Sequence, residues 1–218
     1  MSTMEDPLNL VPKIQSYVLA YMSQFDPSHG YAHIQRVVAL AKQIAAQELI
    51  LHPSTSYNHL VIHLAALLHD IGDKKYLKPG EDPTTMVFNL LQLHGASTAL
   101  GSRVQSIVSH VSFSSEIASP TAVKTCLDQN PELAIVQDAD RLDAIGAVGI
   151  GRCFTFTGAK RRDDGMEGAI RHFEEKLERL EGMMKTDTGR RLARERTERL
   201  RIFRGWWEEE TGRGVEVR

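Results

Sequence analysis

The stretch His63-Leu-Ala-Ala-Leu-Leu-His-Asp-Ile-Gly-Asp73 decides how this chain is read. Its second half is nearly all apolar, which marks a helix buried on most sides and therefore central to a helical bundle. The run ends in a neighbouring imidazole and carboxylate, His69 and Asp70, followed at once by Gly72, Asp73 and Lys74. An aspartate in that position is costly to bury unless something neutralises it. A divalent cation shared with His69 would do so, and other parts of the chain must then supply the remaining ligands.

Working outward, apolar residues recur at helical spacing along most of the sequence. Residues 8–22 place Leu10, Ile14, Val18 and Met22 (or Tyr21) on one stripe, with Pro12 tolerable only in the first turn. A turn-rich connection, 25–30, precedes a second helix over 31–51, whose stripe is Ile34, Val37, Val38, Ala41, Ile44 and Ala45. His52-Pro53 ends it. Ser56 is expected to cap the central helix, 57–71. Beyond a polar loop, Asp82 and Pro83 are expected to start a helix that stops at His94-Gly95, and 97–111 carries the next. Residues 112–130 show only a weak helical piece around 123–127. Pro131 opens a helix through Val136, Ala139 and Leu142, and the Gly-rich run 146–158 leaves helix and break both open. Two charged helices, 166–183 and 187–210, turn Phe173, Leu177 and Leu180, then Leu192, Leu200, Phe203 and Trp206 inward. No strand alternation or internal repeat interrupts this pattern. The expected fold class is all-α: a single domain over 1–218, its core at 8–158 and its C-terminal helices, 166–210, packed on that core.

At 218 residues the chain has length enough for a substantial core. Its formal net charge of −2 argues against a dedicated nucleic-acid binder, which normally carries a basic patch. Cys126 and Cys153 are the only cysteines and form no CxxC, so buried thiols are expected, not a disulfide framework or a zinc knuckle. The first residues lack a basic start followed by an apolar run. No uncharged apolar stretch approaches the ~18 residues of a membrane span. A cytoplasmic or nuclear protein is expected.

Four residues on three predicted helices could complete the site begun by the doublet: His33, His69, Asp70 and Asp140. Adjacent residues on a helix diverge by about 100°, yet a metal beside the helix can take both because histidine reaches further than aspartate. A shell of nitrogen and oxygen without thiolate favours manganese, iron, magnesium or cobalt over structural zinc. Four protein ligands on an octahedral ion leave two positions for water and a substrate oxygen, as hydrolytic metals require. A buried histidine is also commonly satisfied by a backbone carbonyl, and spacing alone leaves both readings open.

The order His33, His69-Asp70, Asp140 resembles the H…HD…D signature of the HD superfamily of metal-dependent phosphohydrolases. Longer segments are similar to its YpgQ/YedJ-like branch: Asp26-Pro-Ser-His-Gly-Tyr-Ala-His-Ile-Gln-Arg-Val37, Ala65-Ala-Leu-Leu-His-Asp-Ile-Gly-Asp-Lys74 and Val136-Gln-Asp-Ala-Asp-Arg-Leu-Asp-Ala-Ile-Gly-Ala147. His172-Phe-Glu-Glu-Lys-Leu177 and Thr186-Asp-Thr-Gly-Arg-Arg-Leu-Ala193 extend the likeness over nearly the whole chain. The resemblance implies an all-helical HD domain that hydrolyses nucleotides with a divalent ion. Manganese is favoured, with magnesium, cobalt, iron(II) or nickel as alternatives. It also implies pyrophosphohydrolysis of (deoxy)nucleoside triphosphates to monophosphate and pyrophosphate, with a small nucleotide as partner and neither nucleic acid nor membrane. A nucleoside 5′-monophosphatase and a non-catalytic nucleotide-sensing HD protein are the alternatives. The segment 114–131 looks longer and more polar than the family pattern and bears on substrate preference.

Further residues have two readings each. Asp73, three after Asp70, is expected to orient or deprotonate the attacking water, against a plain solvated carboxylate. Lys74 could hold phosphate or belong to a solvated loop. Arg36 could meet phosphate or Asp70, or form a structural ion pair. Arg141 and Asp143 flank Asp140 and should each have a tertiary partner, with phosphate a candidate for Arg141. His29 could touch substrate or cap its turn, and His110 could add a substrate or metal contact. Asp138 is the alternative to Asp140.

Overall fold

The computed structural model describes residues 7–73, 77 and 80–212, and among them the regular structure is entirely helical. In chain order the α-helices are α1 (Pro7–Met22), α2 (Tyr31–Leu51), α3 (His59–Leu68), α4 (Met86–Leu93), α5 (Thr98–Val108), α6 (Phe113–Ala118), α7 (Pro120–Gln129), α8 (Glu132–Asp143), α9 (Gly146–Lys160), α10 (Gly165–His172) and α11 (Asp187–Glu210). The stripes read from the sequence are the buried faces. Leu10, Ile14, Val18 and Met22 on α1, and Ile34, Val37, Ala41 and Ile44 on α2, are all withdrawn from solvent.

The central helix is α3. Val61, Ile62 and every residue from Leu64 to Leu68 are buried, because α1, α2, α5 and α8 surround it. It is shorter than the expected 57–71. Asn58, not Ser56, is its cap, accepting from the Leu60 and Val61 amides. It ends at Leu68, where the Ile71 amide turns back 2.9 Å to the Leu68 carbonyl. Gly72 then takes a φ of 82°, a left-handed conformation that glycine enters without steric cost. The His69-Asp70 doublet therefore sits on the turn that ends the most buried helix.

Other departures also trace to local hydrogen bonding. Asp82 and Pro83 do not start α4. The Asp82 carboxylate accepts from the Thr84 amide and hydroxyl and the Thr85 hydroxyl, which fixes a turn and delays the helix to Met86. The weakly patterned 112–130 holds two short helices, one capped by Ser112 and one opened by Pro120. The Gly-rich run is helical after a break at Ala144-Ile145. The expected helix over 166–183 is interrupted: α10 passes into a π-turn, Phe173–Leu177, and then a 3₁₀ segment, Glu178–Met183. Trp206 does not face inward. It is 60 % exposed, whereas Trp207 lies 5.8 Å from the Phe154 ring. The stripe Leu200, Phe203, Trp207 runs by threes and fours, and Trp206 falls off it. Along that stripe α11 packs on α9, with further contacts to α8 and α2.

Candidate metal centre

Three helices bring four side chains to one point. His33 lies in the first turn of α2, whose N-cap is Gly30. His69 and Asp70 close α3, and Asp140 lies in the last turns of α8. His33 Nε2 is 3.1 Å from His69 Nε2, 3.4 Å from Asp70 Oδ2 and 3.6 Å from Asp140 Oδ1. His69 Nε2 is 3.4 Å from Asp70 Oδ1 and 3.6 Å from Asp140 Oδ1.

The tautomers follow from what each ring's other nitrogen meets. His33 Nδ1 is 2.7 Å from Asp143 Oδ2, and His69 Nδ1 is 2.9 Å from the Ala66 carbonyl oxygen. Both acceptors require Nδ1–H donors, so in the neutral rings both Nε2 atoms present lone pairs to one another. Two lone pairs at 3.1 Å repel unless a positive charge lies between them. Asp70 Oδ2 meanwhile is buried without a hydrogen-bond partner, an arrangement that is costly for a carboxylate. A divalent cation would accept both lone pairs and the orphaned oxygen, so the residues fit such an ion. The donor set is two imidazoles and two carboxylates, without thiolate.

The electrostatics carry the same demand. Burial opposes a charged His69, but the charges of Asp70 and Asp140 outweigh it and raise the imidazole to about 9. Burial likewise opposes ionisation of Asp70, and the charge of His69 and the close approach of His33, whose Nε2 lies 3.4 Å from Oδ2, hold it well below the usual carboxylate range. Asp140 is held at about 2, burial being overcome chiefly by His69, whose Nε2 lies 3.6 Å from Oδ1. The pocket is built for positive charge.

Asp143 is the hub behind His33. It is 1 % exposed. Besides His33 it accepts from Arg36 Nε at 2.7 Å and Nη2 at 2.9 Å, and from Arg152 Nη1 at 3.0 Å. Burial would raise its carboxyl; the hydrogen bonds from His33 and Arg36 overcome this and keep it strongly acidic. Sequence reasoning gave Asp143 a tertiary partner without naming it. The signal lay in its spacing, one helical turn after Asp140 and so on nearly the same face.

The remaining expected residues divide. Arg36 takes the structural ion pair and does not reach Asp70, although its side chain is 37 % exposed. His29 lies beside the centre, its ring 6.3 Å from that of His33 and 5.4 Å from that of Phe156. Its Nδ1 is 2.7 Å from Ser28 Oγ, which in turn donates to Asp26. Asp73 is half-buried just past the turn, its amide 3.3 Å from the Asp70 carbonyl oxygen.

Arg141 corrects the expectation of a phosphate contact. Its guanidinium is buried, donating to Glu116 and, at 2.8 Å, to the Met183 carbonyl. Residue 141 lies on a different face of α8 from Asp140, and α6 and the 3₁₀ segment cover it. Asp138, the alternative ligand, also points elsewhere: it accepts from the Lys185 and Thr186 amides and the Thr186 hydroxyl. His110 anchors its Nδ1 on the Ser106 carbonyl at 2.7 Å, and no described contact joins it to the four. Lys74 lies outside the described residues.

Comparison with known proteins identifies the family. The HD domain family model matches residues 30–145, the span from the first turn of α2 to the end of α8. The chain belongs to the HD domain family. It is 35 % identical over 196 residues to the uncharacterized protein YpgQ of Bacillus subtilis, covering 87 % of each chain. The crystal structure of that protein in complex with ADP matches with a TM-score of 0.72 at 34 % identity, over 94 % of this chain and 96 % of the other. An HD-superfamily hydrolase from Bacillus thuringiensis matches with a TM-score of 0.69 at 25 % identity, over 95 % and 99 %. Among the described residues no helix is long and apolar enough to cross a membrane.

Proposed function

We propose that this HD protein is a divalent-metal-dependent phosphohydrolase that cleaves (deoxy)nucleoside triphosphates to monophosphate and pyrophosphate. The observation that carries the proposal is the meeting of two imidazole lone pairs and an unpartnered Asp70 oxygen within 3.1–3.4 Å. His33, His69, Asp70 and Asp140 would hold the ion; the mixed nitrogen–oxygen set admits manganese, iron, magnesium or cobalt, and the resemblance to the YpgQ-like branch favours manganese among them. When bound, such an ion polarises a phosphoryl oxygen and makes water nucleophilic near neutral pH.

The chain's own residues do the rest. Asp143 holds His33 in the tautomer that turns Nε2 to the centre. Asp73, just past the turn, positions the attacking water and takes its proton. Arg36 uses Nε and Nη2 on Asp143, and Nη1 remains for phosphate charge, which matters most in the transition state. His29, held by Ser28 and with its ring edge-on against Phe156, lies beside the centre as a candidate substrate contact. Support for a nucleotide over other phosphate esters comes from the Bacillus subtilis relative, crystallised with ADP.

Incubation with manganese and a panel of nucleoside mono-, di- and triphosphates, with phosphate and pyrophosphate measured separately, tests the reading. Pyrophosphate released from triphosphates is expected. Orthophosphate from monophosphates alone would make it a 5′-monophosphatase, and no turnover in metal-loaded protein would make it a sensor.

A further inference from the structure

A second cluster of ligand-type atoms lies where the C-terminal end of α2 meets the N-terminus of α11. Oxygen or nitrogen atoms of Glu48, His52 and Asp187 all lie within 4.8 Å of one another. Glu48 and His52 are four residues apart and share one helix face; Asp187 opens α11. His52 Nε2 is 2.8 Å from Asp187 Oδ2 and 3.7 Å from Glu48 Oε2.

A plain histidine–aspartate ion pair accounts for the shorter contact only. It leaves Glu48, whose side chain is 4 % exposed, with a hydrogen bond on one oxygen: Oε1 accepts from the Thr188 amide at 2.8 Å. Oε2 lies 3.7 Å from His52 Nε2, too far for a hydrogen bond. Each carboxylate has its outer oxygen fixed by a donor, Glu48 by the Thr188 amide and Asp187 Oδ1 by Arg190 Nη2 at 2.6 Å. The inner oxygens, Oε2 and Oδ2, face His52 Nε2. This is how donors behind a metal site orient its ligands.

We propose that Glu48, His52 and Asp187 form a second divalent-cation site, of zinc type, that ties the end of α2 to the start of α11. One imidazole and two carboxylates make a three-ligand shell whose fourth, tetrahedral position is left to water. Ligand atoms around a tetrahedral zinc lie about 3.3 Å apart, given bonds of about 2.0–2.1 Å, so only small side-chain adjustments close the site. His52 and Asp187 are 46 % and 49 % exposed, which gives the ion a path in. The site shares no ligand with the centre at His33 and does not depend on the activity proposed there.

Calorimetric titration of untagged, metal-free protein with zinc tests this. The wild type is expected to bind two equivalents and His52→Ala one. In an Asp70→Ala background, zinc is expected to raise the melting temperature, and His52→Ala should remove that rise. Glu48→Gln, isosteric at the buried position, should act like His52→Ala. Zinc stoichiometry unchanged by His52→Ala, no zinc-dependent rise in melting temperature in the Asp70→Ala background, or loss of both equivalents in a folded His52→Ala protein would each overturn the proposal.

Discussion

Asp143 is not one of the four candidate ligands, yet it holds His33 Nδ1, two nitrogens of Arg36 and one of Arg152. Replacing it by asparagine keeps the shape and removes the charge that fixes the His33 tautomer. Metal affinity at the centre is expected to fall about 10- to 100-fold, measured by manganese titration, with helical content unchanged by circular dichroism. Unaltered affinity would mean that His33 needs no such support. Glu116 makes a different prediction. Burial raises its carboxyl, but the Lys185 and Arg141 hydrogen bonds outweigh this and depress it. A depressed carboxyl stabilises the fold above its unfolded pKa, and that contribution disappears as the pH falls through the folded value. Glu116→Ala leaves the Arg141 guanidinium buried without its carboxylate and is expected to cost about 3 kcal/mol at neutral pH. Denaturation at a series of pH values should show the difference from wild type shrinking below pH ~4. His33, His69, Asp70 and Asp140 were legible because a family pattern orders them. The partners of Arg141 and Asp143 were not, since they come from α2, α6, α9 and the 3₁₀ segment, at distances no local spacing encodes.

At the scale of elements, long apolar stripes predicted α1, α2 and α11 almost to the residue, because a face repeated over several turns outweighs any single side chain. Boundaries failed where a short polar side chain competed for the backbone, as at Asn58 and Asp82. The choice between two adjacent tryptophans failed because Trp206 follows Phe203 by three, and only the phase set by Leu200 and Phe203 together picks Trp207. Trp207→Ala is therefore expected to cost about 2–3 kcal/mol, the low end for a half-buried aromatic, and Trp206→Ala less than about 0.5 kcal/mol. Equal losses in urea denaturation would contradict the assigned face. Gly189→Ala belongs here too. Its Cβ would lie 2.1 Å from Asp138 Oδ2, so loosening of α11 from α8 and a loss of about 1–3 kcal/mol are expected.

For the whole molecule, one cluster of buried residues runs from Leu10 to Leu200, and the four candidate ligands come from three of its helices. An ion binding there stabilises the folded state by mass action, about 2.7 kcal/mol at a hundred times its dissociation constant. Stripping metal with a chelator is expected to lower the melting temperature, and manganese should restore it in the wild type but not in Asp70→Ala. The measurement that tests the central claim most directly is anomalous diffraction at the manganese edge from crystals soaked in manganese. The account predicts a peak within about 2.0–2.6 Å of His33 Nε2, His69 Nε2 and oxygens of Asp70 and Asp140. A peak that excludes Asp70 or Asp140, or no peak between the two imidazoles, would contradict it.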